Sequence, residues 1–166
     1  MASATGPSTT AVAVCSSAIT FTGSDTPAAV GDNPRHVVTG DLDGDGNADV
    51  GAGDNEADAV PVLLGNGDGT FGDVTQYASV AWLYSITPGD IDGDGETDLA
   101  TVSNGSNILE IFTGNGDGTF EASVAYTTSA LPVSVNVADL TSDGTQDLVV
   151  ASSADDRIDV FTGSCD

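Results

Sequence analysis

Asp41, Asp90 and Asp139 stand 49 residues apart, and so do Gly65, Gly114 and Gly163. The same step separates Asp68 from Asp117, Phe71 from Phe120 and Tyr77 from Tyr126. No insertion breaks the register from about residue 37 onward. A period of roughly 20–50 residues marks a repeat architecture, in which one small unit buries its apolar face against copies of itself. The fold must therefore be built from one unit used several times.

Each unit reads as four short strands. In the second, Ser85–Ile91 is strand one, Asp98–Ser103 strand two, Ile108–Thr113 strand three and Phe120–Tyr126 strand four. Asn104-Gly-Ser-Asn107 supplies the tight turn between strands two and three. No segment sustains an apolar period of ~3.6 residues, so helix should be nearly absent. The expected class is all-β: four-stranded antiparallel sheets, about three of them, preceded by orphan N-terminal strands. Residues 1–10 read as a flexible leader. Residues 11–36 form a partial repeat, in which Ala11–Cys15 and Ala18–Gly23 mimic strands two and three. Two whole units follow at about 37–85 and 86–134, then a third, 135–166, without its last strand.

The loop after strand one carries the chemistry. It reads Asp41-Leu-Asp-Gly-Asp-Gly-Asn-Ala-Asp49, then Asp90-Ile-Asp-Gly-Asp-Gly-Glu-Thr-Asp98, then Asp139-Leu-Thr-Ser-Asp-Gly-Thr-Gln-Asp147. Oxygens on alternate residues of a curled backbone converge on one point, and calcium takes about 6–8 oxygens at roughly 2.3–2.6 Å. The expected ligands are Asp41, Asp43, Asp45 and Asp49, with the main-chain carbonyl of Asn47. In the second loop they are Asp90, Asp92, Asp94 and Asp98, with the carbonyl of Glu96. The third loop offers Asp139, Asp143 and Asp147, with Thr141 a neutral stand-in and Thr145 at the carbonyl position. Two strong calcium sites and a weaker third are expected. A single copy would pass for an acidic surface turn; constant spacing argues against that. An EF-hand is excluded, because position 12 is Ala52 or Thr101 rather than Glu and the flanks are strand-forming.

Composition narrows the partners. Lys and Arg total 2 against 26 Asp and Glu, a formal charge of −24 that calcium would only partly offset. Such a surface repels nucleic acid and anionic membranes. No stretch approaches the roughly 18 apolar residues of a membrane span, so membrane insertion is not expected. Cys15 and Cys165 are too few for a disulfide scaffold and wrongly spaced for zinc or a redox pair. They are expected to form a disulfide, within or between chains, that ties the two ends of the array; the alternative is two unrelated thiols.

Two motifs carry a family resemblance: Gly40-Asp-Leu-Asp-Gly-Asp-Gly-Asn-Ala-Asp-Val50 with its copy at 89–99, and Leu64-Gly-Asn-Gly-Asp-Gly-Thr-Phe71 with its copy at 113–120. They resemble the FG-GAP or VCBS-type repeat of calcium-binding β-propellers, the family that includes integrin α-subunit headpieces and integrin-like lectins. The resemblance spans residues from about 11 to 166. It implies a four-stranded blade with calcium held between strands one and two. Thr141 and Ser142 depart from its Asp-Gly, and the blade count falls short of the usual range of about 4–8.

In an up-and-down blade the calcium loops and the Gly-Asn-Gly-Asp-Gly-Thr-Phe hairpins share one end. The other end bears the connectors, where the repeats differ: Asn33-Pro-Arg35, Trp82-Leu-Tyr84 and Leu131-Pro-Val133. Variation on a constant scaffold is where specificity is placed. Arg35, Trp82 and Tyr84 are the candidate ligand face, with Trp82 either a stacking platform for a sugar or a filler between blades. His36, the only histidine, has no triad partners and reads as structural. Asp-x-Asp-x-Asp spacing suits cation ligation better than a glycosidase acid pair, and Asp68 and Asp117 read as turn residues. No enzymatic activity is expected. Asn104-Gly-Ser106 matches a glycosylation acceptor sequence.

The leading expectation is an extracellular or cell-surface recognition module with a protein or glycan ligand. A second is a self-assembling structural protein whose open ends complete each other between chains. A third, weaker, is an accessory domain of a larger hydrolase.

Overall fold

The computed structural model describes residue 23 and residues 28–56 and 58–164. The expected orphan strands, Ala11–Cys15 and Ala18–Gly23 up to its last residue, lie outside these residues, as do Cys15 and Cys165. Among the described residues the chain is all β. The first sheet takes β1 (Pro34–Gly40), β2 (Asp49–Asp54), β3 (Ala59–Leu63) and β4 (Thr75–Ala78) in sequence order. The second takes β5 (Leu83–Gly89), β6 (Asp98–Ser103), β7 (Ile108–Phe112) and β8 (Val124–Thr127). The third has β9 (Pro132–Ala138), β10 (Asp147–Ser152) and β11 (Arg157–Phe161), with β10 central. All pairs are antiparallel. No helix of the described residues is long and apolar enough to cross a membrane.

The first strand of each sheet packs on the next, β1 against β5 and β5 against β9. The second strands are therefore covered on both faces, and β6 is buried at every position. This explains why Asp98-Leu-Ala-Thr-Val-Ser103 does not alternate apolar with polar. Small residues let the sheets approach: a side chain at Gly51 would meet Val38, Ile86 and Leu99. One apolar cluster, including Val60, Val62, Leu83, Ile86, Leu99 and Phe112, fills the space between sheets one and two. A second, including Ala100, Val102, Leu109, Val135 and Val150, lies between sheets two and three.

Polar groups tie the sheets together as well. The Ile86 N–H donates to His36 Nδ1 at 3.1 Å, and the Val135 N–H donates to Ser85 Oγ at 3.4 Å. Positions 36 and 85 are repeat equivalents, so the histidine bridges two sheets at a place where the next unit uses a serine. Buried Glu110 accepts from the Val80 N–H and from Ser123 Oγ, pinning the connector into β5. Its equivalent Asp159 does the same for the next connector, accepting from the Ser129 N–H and Oγ.

Two expected boundaries move. Strand one of the second unit covers Leu83–Gly89 rather than Ser85–Ile91, because the Ile91 N–H turns inward to Asp98. Strand four starts at Val124 rather than Phe120. Phe120 makes only an isolated bridge to Gly114, and its ring is drawn into the core between sheets one and two.

Candidate functional site

Each acidic loop is wound around its first aspartate. The Gly46 N–H donates to Asp41 Oδ2 at 3.0 Å, the Gly95 N–H to Asp90 Oδ2 at 3.2 Å, and the Gly144 N–H to Asp139 Oδ2 at 3.1 Å. The curl brings positions 1, 3 and 9 together. One carboxylate oxygen from each of Asp41, Asp43 and Asp49 lies within 4.8 Å of the others, and the same holds for Asp90, Asp92 and Asp98. Ligands roughly 2.3–2.6 Å from a shared ion are at most about 5 Å apart, so both clusters fit one calcium. Crowding leaves its mark on Asp43. The Asp45 N–H pulls its carboxyl down, but burial and the charges of Asp45, Asp49 and Asp41 together hold it above the ordinary value.

Asp45 and Asp94, expected as ligands, fall outside the clusters. They accept from the next-but-one backbone, Asn47 N–H at 2.7 Å and Glu96 N–H at 2.8 Å, as Asp43 and Asp92 do from Asp45 and Asp94. Position 7 contributes packing: a side chain at Gly67 would strike the Asn47 amide, and one at Gly116 the Glu96 carboxylate.

Position 9 has a second task that the ligand pattern conceals. Asp49 is fully buried; it accepts from the Leu42 N–H at 2.6 Å and, 16 residues downstream, from the Gly65 N–H at 2.7 Å. Asp98 accepts from Ile91, Asp92 and Gly114, and Asp147 from Leu140, Thr141 and Gly163. Each carboxylate thus clamps its loop to the start of the second hairpin. Close approach explains the three spaced glycines: a Cβ at Gly65, Gly114 or Gly163 would run into the carbonyl of Ala48, Thr97 or Gln146. Their 49-residue step was the available signal. Burial pushes the Asp98 carboxyl up, against the pull of the Gly114 and Ile91 N–H groups.

The third loop keeps this frame with one carboxylate fewer, since Thr141 stands at position 3. Ser142 takes φ +59° where Gly44 and Gly93 have +74° and +83°. A left-handed conformation costs a side-chain-bearing residue about 1–2 kcal/mol, whereas Gly adopts it freely at some entropic cost. Ser142→Gly is expected to raise stability by about 0.5–1 kcal/mol. An unchanged urea midpoint would contradict that.

Asp68 and Asp117 are turn residues. Each accepts from the N–H and hydroxyl of the threonine two residues on, which holds both carboxyls below the usual range.

The opposite end holds the candidate ligand residues. Each first strand begins with a β-bulge: pairing skips Arg35 in β1, Tyr84 in β5 and Val133 in β9. Bulges re-aim a side chain. Arg35 and Tyr84 meet, the guanidinium 5.8 Å from the ring centroid. Trp82 does not fill a gap between sheets. It is 56% exposed, at φ +70°, and packs on Gly105 of the β6–β7 turn. Leu131, its repeat equivalent, shares the left-handed conformation and sits on the same turn, its N–H donating to Asn107 Oδ1. Asn104, of the glycosylation sequence, gives its amide to the Pro132 carbonyl at 3.1 Å. Neither the bulges nor this turn contact was legible in the residue pattern.

Comparisons with known proteins agree with this geometry. The family model described as FG-GAP-like repeat matches residues 41–101 and again 90–150. No curated protein matches the sequence significantly. Among solved structures, an Agrocybe aegerita lectin, described by its specific recognition of non-reducing terminal N-acetylglucosamine, is similar with TM-score 0.52 and 26% identity. The match covers 69% of this chain but 32% of the lectin chain, so this chain spans about a third of its length.

Proposed function

Because the chain belongs to the FG-GAP-like repeat family, we propose that it is a calcium-stabilised, β-propeller-type recognition module that works outside the cell and is not an enzyme. The observation that carries this reading lies at the end away from the carboxylate clusters, where Arg35 and Tyr84 bulge out of their strands and Trp82, just ahead of β5, is exposed. An exposed indole, with an exposed tyrosine two residues on, offers apolar faces to a sugar and a polar edge to its hydroxyls. Arg35 adds hydrogen-bond donors to a surface otherwise almost without cations. The lectin similarity favours a glycan over a protein ligand. An extracellular setting agrees with the ion sites, since exposed carboxylate loops of extracellular modules bind calcium at roughly 10⁻⁴–10⁻³ M.

The test is binding to immobilised glycans ending in N-acetylglucosamine, with calcium present. Trp82→Ala is expected to weaken binding at least about fivefold, because truncating a central aromatic typically costs about 1 kcal/mol or more. Melting should barely change, since the ring is exposed. If Trp82→Ala and Tyr84→Ala both bind as the parent does, recognition does not occur at this corner.

A further inference from the structure

The first acidic loop is not held by its own unit alone. Its second residue, Leu42, is buried, and both of its main-chain groups are engaged. The Leu42 N–H donates to Asp49 within the loop, while the Leu42 carbonyl accepts from the Gly118 N–H of the second unit at 3.1 Å. One residue earlier, the Asp41 carbonyl accepts from the Thr97 hydroxyl, also of the second unit, at 3.1 Å. The carbonyls at positions 1 and 2 are therefore both fastened to the next unit. Gly118 is itself pinned in place. Its carbonyl accepts from the Tyr77 hydroxyl at 3.3 Å, and nearby Phe120 is buried edge-on to the Tyr77 ring with centroids 5.3 Å apart. A side chain at Gly118 would press on Leu64 and on Asp43, one of the converging carboxylates.

Both fastenings lead back to the second acidic loop. Thr97 is that loop's eighth residue and directly precedes Asp98, whose carboxylate converges with those of Asp90 and Asp92. Asp98 Oδ1 also accepts from the Gly114 N–H at 2.8 Å, at the base of the hairpin that carries Gly118. Whatever orders Asp98 therefore orders the two groups that hold Asp41 and Leu42.

We propose that Thr97 couples the two loops, so that calcium held by the second strengthens calcium binding by the first. This coupling rests on the reading of both loops as calcium sites. Its physical basis is order. Without an ion, Asp90, Asp92 and Asp98 repel one another, and the backbone around Thr97 keeps more freedom. Once that backbone is fixed, the first loop pays less entropy to fix its own, which is positive cooperativity without a change of fold. Linkage makes the effect reciprocal, so calcium in the first loop strengthens the second by the same factor. One effect opposes it, since neutralising one loop lowers the attraction felt by the other loop's ion. Salt at about 0.15 M screens that attraction beyond about 8 Å, and the measurement belongs at that ionic strength.

Calcium titration of the full chain, followed by amide NMR, tests this. The Gly46 and Gly95 N–H groups bond to Asp41 and Asp90, so each reports on one loop. Asp92→Ala gives the affinity of the first loop alone, and Asp43→Ala that of the second. Fitted with the parent curves at both amides, they yield one coupling factor, expected to be at least about fivefold. Both variants also remove a charge, an effect that neutral Thr97→Val leaves alone. Repeated on the Thr97→Val background, the same set should give a factor of about twofold or less, and Thr97→Ser, which keeps the hydroxyl, should retain the parent's factor. A parent factor near one overturns the coupling, while two titrating amides would leave the calcium reading standing. A factor undiminished by Thr97→Val assigns it to charge and also overturns the proposal. If neither amide responds to calcium, the calcium reading falls and the coupling falls with it.

Discussion

Asp98→Ala is expected to lower the unfolding free energy by about 3–5 kcal/mol, with calcium or without it. The carboxylate is fully buried, and its oxygens accept from three backbone N–H groups, at Ile91, Asp92 and Gly114. Alanine leaves those donors facing one another across a small void. A buried donor without an acceptor costs about 1–3 kcal/mol, and removing the charged acceptor of a satisfied network falls at the upper end of single-substitution effects. Domain stability is only about 5–15 kcal/mol, so the loss is severe. Asp98→Asn should recover part of it, since the amide keeps one acceptor while turning two donors toward existing N–H groups. Asp92→Ala separates the clamp from the proposed ion site, because the Asp92 carboxylate accepts only from the Asp94 N–H in its own exposed loop. In calcium-free buffer it should sit near the parent in urea midpoint. Equal midpoints for Asp98→Ala and Asp92→Ala without calcium would show that position 9 is no more than a ligand.

That clamp also marks the boundary of what the sequence disclosed. Identical side chains at a fixed step made the repeat, the acidic loops and the β6–β7 turn legible, because one unit's chemistry could be checked against the next. Contacts that differ between units could not be checked in this way. His36 serves where the equivalents are Ser85 and Ser134, and Glu110 and Asp159 pin connectors where the first unit has Pro61. Phe120 read as the start of a strand since an aromatic before Glu-Ala-Ser-Val fits a strand pattern. Its ring instead answers to a cavity between two sheets, which local propensity cannot register. Arg35 and Tyr84 were suspected only because the connectors vary. The bulge that exposes them is one residue of slippage between paired strands, and no residue type announces it. Asp45 and Asp94 fit the ligand spacing but, in the folded loop, each bonds the N–H two residues on. The pattern missed the fold-holding duty of position 9, because the N–H groups it accepts from lie in another hairpin.

Withdrawing calcium at neutral pH is expected to lower the melting temperature by about 10–20 °C. With free ion at about 100 times the dissociation constant, each occupied site contributes about 2.7 kcal/mol, or about 5 for two. Chains of this size shift by about 2–4 °C per kcal/mol. Asp43→Ala or Asp92→Ala should remove about half of the shift, and Thr141→Ala little of it. Acid should close the gap for a reason visible in the loops. The Asp43 and Asp98 carboxyls lie above their ordinary values in the folded protein. Their contribution to the calcium-free fold is full below the unfolded value near 3.8 and is lost as pH rises through the raised one. Calcium binding would reverse this, because the ion requires the ionised form, so protons and calcium would compete for the same oxygens. Asp159 works in the opposite sense. Burial resists its ionisation, but hydrogen bonds from Ser129 and Ser152 and the charge of Arg157 hold its carboxyl low. Asp68 and Asp117, outside the loops, are held low by their threonine partners. The stability that Asp68, Asp117 and Asp159 contribute is present above the unfolded value and lost as pH falls, in loaded and calcium-free protein alike. They lower both curves together and leave the difference to the loops. Melting curves with calcium and in calcium-depleted buffer should therefore diverge at pH 7 and converge toward pH 4. A difference that is absent at pH 7, or that persists undiminished in acid, would remove calcium from the account of these carboxylates.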